Sequence, residues 1–113
     1  RDVYVQLREL RVGSIELEKR FDGGPMSASN RPLFFDFWLP AIGVLIEVDG
    51  QQHEQGWWAH RKNGDTTAIA RGRDNDRIKN EWATAHGIPL LRLRWNDRNY
   101  KDTLCQWLAS LQV

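Results

Sequence analysis

Residues 44–49 (VLIEVD) alternate as a strand does, sending Val44, Ile46 and Val48 to one face and Leu45, Glu47 and Asp49 to the other. Residues 33–39 (LFFDFWL) do the same, with Phe34, Asp36 and Trp38 opposite Leu33, Phe35, Phe37 and Leu39. Pro40 and Gly43 mark a short turn between them, so the pair predicts an antiparallel hairpin. Upstream, residues 3–10 (VYVQLREL) read as the end of a helix stopped near Gly13. Residues 14–21 (SIELEKRF) alternate as a further strand, and DGGPMSASNRP is a loop by its glycine, proline, serine and asparagine content. Residues 54–73 are polar, contain glycine and predict no regular element.

Beyond them the period changes. Residues 74–86 (DNDRIKNEWATAH) predict a helix with Ile78, Trp82 and Ala85 on its stripe and Gly87 as its C-terminal cap. Pro89 introduces another strand, LLRLRW. Residues 100–111 predict an amphipathic helix burying Leu104, Trp107, Leu108 and Leu111. The order α-β-β-β-α-β-α predicts an α/β (α+β) fold, a small mixed sheet of about four strands flanked by helices.

Composition narrows the class. The 113 residues suit a single domain, 1–113, and 41% hydrophobic with 27% charged residues is ordinary for a globular chain. No apolar run approaches the roughly 20 residues that span a membrane, and no signal peptide is visible. Arg1 is an unusual first residue and suggests a processed or truncated piece. Cys105 is the one cysteine, which excludes an internal disulfide and a cysteine-based zinc site. A reducing cytoplasm is the expected setting. The net charge is only +1, yet Arg61, Lys62, Arg71, Arg73, Arg77 and Lys79 crowd one stretch, with Arg92 and Arg94 further on. Such a cluster suits either a phosphate backbone or a solvated surface.

The acids change the picture most. An ionised aspartate amid the aromatics of LFFDFWL costs several kcal/mol to bury. In a regular hairpin Asp36 converges with Glu47 or Asp49 at one end of the sheet. Hard cations such as magnesium take oxygen ligands of this kind. His53 follows four residues after Asp49, near the mouth of the same face. The spacing of His53, His60 and His86 fits no zinc site.

Taken together, LFFDFWLPAIGVLIEVDGQQH and DRIKNEWATAHGIPLLRLRWND resemble the small PD-(D/E)XK-type nucleases, over about residues 33–96. Among these, the chain resembles the very short patch repair endonucleases and the EDxHD phage homing endonucleases. The resemblance rests on FDFxLP, IExDGxQH, DxxK and GIxLLRxxW in combination. It implies a restriction-endonuclease-like core, bacterial or phage-encoded, that cleaves double-stranded DNA with Mg2+, for which Mn2+ substitutes. Asp36 resembles the metal-binding aspartate, and Glu47 matches the glutamate of the ExK element, with the Val48 carbonyl as backbone ligand. Asp49 stands where most of these enzymes carry lysine, close enough to count among the metal ligands. His53 matches the histidine that activates or orients water.

For the helix acid, periodicity alone leaves Asp74 and Asp76 open. The family pattern, with Lys79 and Gly87 at fixed distances, selects Asp76. In this reading Asp76 orients His53, and Lys79 contacts the phosphate or holds Asp76. The family's acid on the first helix has no clear counterpart in Asp2 or Glu9 and is expected ahead of Arg1. Trp57 and Trp58, beside Arg61 and Lys62, suit either a wedge into the DNA stack or a cap on the sheet. With Arg71 and Arg73 they make up the expected DNA-binding set. A chain this size carries one site, so double-strand cleavage implies a homodimer or two events, and long-site reading implies a separate DNA-recognition domain. The alternative is a catalytically inactive nucleic-acid-binding module of the same fold.

Overall fold

A computed structural model describes residues 2–49, 67–94, 96 and 98–111, with the backbone alone for residues 2 and 67–71. The elements follow in the order α1 (Asp2–Glu9), β1 (Glu16–Lys19), β2 (Phe35–Leu39), β3 (Val44–Asp49), α2 (Thr67–Ala85), β4 (Leu90–Arg94) and α3 (Tyr100–Ser110). The strands form one sheet in the order β1-β2-β3-β4. The pairs β1–β2 and β2–β3 are antiparallel, whereas β3 and β4 are parallel and α2 lies between them in sequence. The expected mixed sheet flanked by helices is therefore the architecture of the chain. No helix among the described residues is long and apolar enough to cross a membrane.

The β2–β3 hairpin closes because Gly43, at φ +77°, adopts a left-handed conformation that residues with a Cβ disfavour. Its N–H reaches back to the Leu39 carbonyl at 2.7 Å. The far end of α2 closes by the same device. Gly87 sits at φ +67°, its N–H bonds to Thr84 O, and the Ile88 N–H bonds to Ala83 O. Those two bonds make a Schellman cap, as the sequence predicts at Gly87.

Alternation sorts the apolar residues into two layers. On one face Phe37, Leu39, Val44, Ile46 and Leu93 pack against Val3 and Leu7 of α1 and Leu104 and Leu108 of α3. On the other, Leu45 and Leu90 meet Trp82 and Ala83 of α2, together with Phe21 and Trp38. Two features of the sequence reading are corrected here. The second helix begins at Thr67, seven residues before Asp74; the run TAIARGR gives no apolar stripe to read, although most of its residues are good helix formers. Its buried face runs through Ala83, whereas Ala85 is exposed.

Phe35 also departs from strict alternation. It packs with Leu45, Ala83 and Trp82 on the α2 side, while its neighbours Phe37 and Leu39 face α1 and α3. The regular β2–β3 register runs from Phe37 opposite Ile46 to Leu39 opposite Val44. Between Phe37 and Phe35 lies Asp36, and there the ladder is broken.

Candidate functional site

The break at Asp36 is built from side chains. The Asp36 N–H donates to Glu47 Oε2 at 2.7 Å, and the Val48 N–H donates to Asp36 Oδ2 at 2.8 Å. Each carboxylate thus takes up a backbone donor of the opposite strand. On the other flank of Asp36, Glu18 of β1 stands at φ +48°, a strained conformation for a non-glycine residue. The register skips it between Leu17 opposite Phe37 and Lys19 opposite Phe35. Asp36 therefore sits between two local irregularities of the sheet. A cavity of about 390 Å³ beside it is lined by Tyr4, Leu17, Glu18, Phe37 and Val48.

Glu47 is the one buried charged residue among those described, at 5% exposure. Its Oε1 accepts from Lys79 Nζ of α2 at 2.9 Å, and both side chains are largely out of solvent. Burial pushes the Glu47 carboxyl above its ordinary range, against the pull of the Lys79 ammonium, and the nearby Asp36 carboxylate adds to the rise. A buried ion pair of this kind is weak evidence for stability, because desolvating both partners offsets much of their attraction.

Arg92 completes the arrangement. The parallel register sets it directly opposite Glu47, and sets Arg94 opposite Asp49. Its Nη1 lies 3.0 Å from Asp49 Oδ1, 3.4 Å from Asp76 Oδ1 and 3.8 Å from Glu47 Oε1. Its Nε donates to Asn80 Oδ1 at 3.0 Å, and its Nη2 donates to the Asp76 carbonyl at 3.2 Å. Glu47, Asp49 and Arg92 all lie toward the carboxyl ends of the parallel strands, where open α/β sheets hold their ligands.

The sequence-predicted residues separate accordingly. Asp36, Glu47, Val48 and Lys79 come together at the break. Asp49 and Asp76 come together around Arg92, one step further along the same face. Lys79 holds Glu47 where Asp76 was the expected partner, and Asp76 is held by Arg92. Asp74 is exposed and lines a separate cleft with Ser27, Ser29 and Arg31. Arg73 is exposed on α2. His53, Trp57, Trp58, Arg61 and Lys62 lie outside the described residues, as does the side chain of Arg71. Arg92 is absent from the sequence-predicted site. The available signal was an arginine between two leucines of the strand, which becomes specific only once β3 and β4 are known to pair.

The oxygen donors suit a hard cation. In a β-strand the N–H and C=O of one residue point to the same side, so the Val48 carbonyl faces β2, as its N–H does. Asp36, Glu47 and that carbonyl then offer two carboxylates and a backbone oxygen, the donor chemistry magnesium takes. Among the described residues no three acid, histidine or cysteine side chains converge as a metal cluster, so water and substrate oxygens would complete the shell. No family model, no curated protein and no solved structure matches the chain.

Proposed function

We propose that this chain is a metal-dependent endonuclease that hydrolyses phosphodiester bonds of double-stranded DNA, with a restriction-endonuclease-like core. The observation that carries this reading is the reciprocal Asp36–Glu47 link between neighbouring strands, with Lys79 on the inner carboxylate. A fold gains little stability by setting two carboxylates and a lysine into the middle of a four-stranded sheet. A metal-dependent phosphoryl-transfer site has a use for such an arrangement.

Asp36, Glu47 and the Val48 carbonyl would hold Mg2+ or Mn2+, which supplies charge stabilisation at the scissile phosphate. Lys79 pairs with Glu47 and opposes the rise that burial imposes on its carboxyl. Its ammonium, on the α2 side of the sheet, takes the place of the lysine that PD-(D/E)XK enzymes carry where this chain has Asp49. His53 is the candidate base, since an imidazole, with its unperturbed pKa near 6.5, suits proton transfer from water. Arg73, with Arg61, Lys62 and Arg71, would follow the phosphate backbone, and Trp57 and Trp58 remain candidates for contact with the base stack. A chain with one such site nicks one strand, so a double-strand cut would need a homodimer. The cytoplasm of a bacterium or an infected cell is the compartment this activity suits.

Supercoiled plasmid incubated with Mg2+ or Mn2+ tests the reading. Nicking is expected, lost with EDTA and lost in Asp36→Ala, while His53→Ala slows it by about 100-fold or more. DNA binding without nicking by the wild-type chain would replace the enzyme with an inactive binding module. Full activity in Asp36→Ala would remove the site.

A further inference from the structure

We infer that the cleft between the loop 27–33 and α2 is a base-reading subsite for DNA, in which Arg31 meets a guanine and Asn75 an adenine. That DNA is the ligand rests on the endonuclease reading above.

The cleft holds about 600 Å³, with Ser27, Ser29, Arg31 and Leu33 on one wall and Asp74 and Asn75 on the other. Each wall continues into the candidate site. Asp36 follows Leu33 by three residues, at most about 10 Å of extended chain. On α2, Lys79 follows Asn75 by four residues, about 6 Å along the helix axis. One base pair advances a duplex by about 3.4 Å. A duplex cut beside Asp36 and Glu47 would therefore present bases about two or three pairs away to the cleft.

The lining favours bases over phosphates. A guanidinium alone suits either, but the Asp74 carboxylate stands in the same cleft and repels a phosphate oxygen. Among the described residues no ion pair engages Arg31 or Asp74. A guanidinium, a carboxamide and a carboxylate side by side are the groups that pair with the major-groove edges of guanine, adenine and cytosine. The loop is also preformed. Met26 and Pro32 form a β-bridge, the Ser27 N–H donates to the Arg31 carbonyl at 2.8 Å, and the Arg31 N–H donates to Ser27 Oγ at 3.1 Å. The Leu33 N–H closes the neck of the loop on the Pro25 carbonyl at 3.0 Å. A loop tied in this way presents Arg31 without the ordering cost that a slack loop meets on binding. Its narrow, ribbon-like form is one the major groove admits.

The test uses the full chain and a pool of duplexes with a randomised central segment, bound in EDTA so that nothing is cut. Sequencing of the retained duplexes should show a guanine and, close to it, an adenine. Arg31→Ala should weaken the guanine preference by about tenfold or more and leave the adenine. Arg31→Gln should move the first preference from guanine to adenine, and Asn75→Ala should erase the second alone. The loop's hydrogen bonds use backbone atoms of Arg31, so these replacements leave them in place. An equal loss of affinity for all sequences in Arg31→Ala, with a shallower salt dependence, would make the cleft a phosphate clamp and overturn the proposal. So would wild type binding DNA without base preference, a preference unmoved by Arg31→Gln, or no DNA retained at all. Adding Mg2+ to the selected duplexes then judges the enzyme separately. A base preference controlled by Arg31 with no cutting would uphold the cleft and sink the endonuclease reading. Cutting without that preference would do the reverse.

Discussion

Strands β3 and β4 send alternate side chains into two unlike environments. Toward α1 and α3 they present Val44, Ile46, Leu91 and Leu93, and that layer is closed by Leu7, Leu104 and Leu108. Toward α2 they present Leu45 and Leu90 at one end but Glu47, Asp49 and Arg92 at the other. The same backbone thus carries a sealed apolar layer and a charged one. The first holds the sheet rigid. The second gives up apolar burial, and its charges are kept in place by the rigidity of the first. Glu47, Lys79 and Arg92, the ion-pair partners least exposed to solvent, lie on the α2 side.

Substitutions on the closed face should have the largest effect. Leu104 is fully buried, and Leu104→Ala should cost about 3 kcal/mol, within the usual range for such truncations. Chemical denaturation of the purified variant measures it. Cation affinity of the fraction that remains folded should be unchanged, because Leu104 does not line the cavity beside Asp36. A parallel loss of affinity would show that the two faces are coupled.

The next effect lies on the charged face and depends on pH. Lys79→Met leaves Glu47 buried without its partner, and at pH 8 should cost roughly 2–3 kcal/mol, somewhat below the figure for a fully buried pair since Lys79 keeps slight contact with solvent. The penalty should shrink toward pH 4, where Glu47 takes up a proton. The wild-type chain carries the same sign. Glu47 is raised above its ordinary value of 4.5, so the fold favours its neutral form. The stability this group contributes is present below that value and lost as pH rises through the raised one. Glu47→Gln should therefore gain on wild type as pH rises, and an equal difference at pH 4 and pH 8 would contradict the assignment. No such pH dependence is expected of Leu104→Ala.

How far each face could be read in advance follows from the physics that fixes it. The bounds 44–49 of β3 and the stripe of Leu104, Trp107 and Leu108 on α3 are local, set by period and by burial on one side, and the sequence reading placed them correctly. Asp36 and Glu47 were also legible as neighbours, because a tight hairpin determines its own register. Arg92 was not. Its place opposite Glu47 depends on a parallel pairing across a long connection, and no turn fixes that register. Phe35 was assigned to the wrong layer for a related reason. Strict alternation assumes an unbroken ladder, and the ladder breaks at the residue that carries the chemistry. Periodicity could not separate Asp76 from Asp74, and tertiary position does, with Asp74 exposed and Asp76 half-buried beside Arg92.

The smallest effect sharpens the contrast by repeating its chemistry outside. Arg77 and Glu81 form an ion pair on the same helix as Lys79, at 3.3 Å and four residues apart, with the base ahead of the acid, the weaker order. Their side chains are 59% and 66% exposed, so water screens the attraction and little desolvation opposes it. Arg77→Ala should change stability by less than about 0.5 kcal/mol, with no change between pH 8 and pH 5. Thermal unfolding of the two variants side by side makes the comparison direct. A lysine and an arginine two positions apart on α2 should then differ severalfold in effect, and in pH dependence altogether. Equal effects would mean that Glu47 is as well hydrated as Glu81, and the case for a site hidden beneath α2 would fail with it.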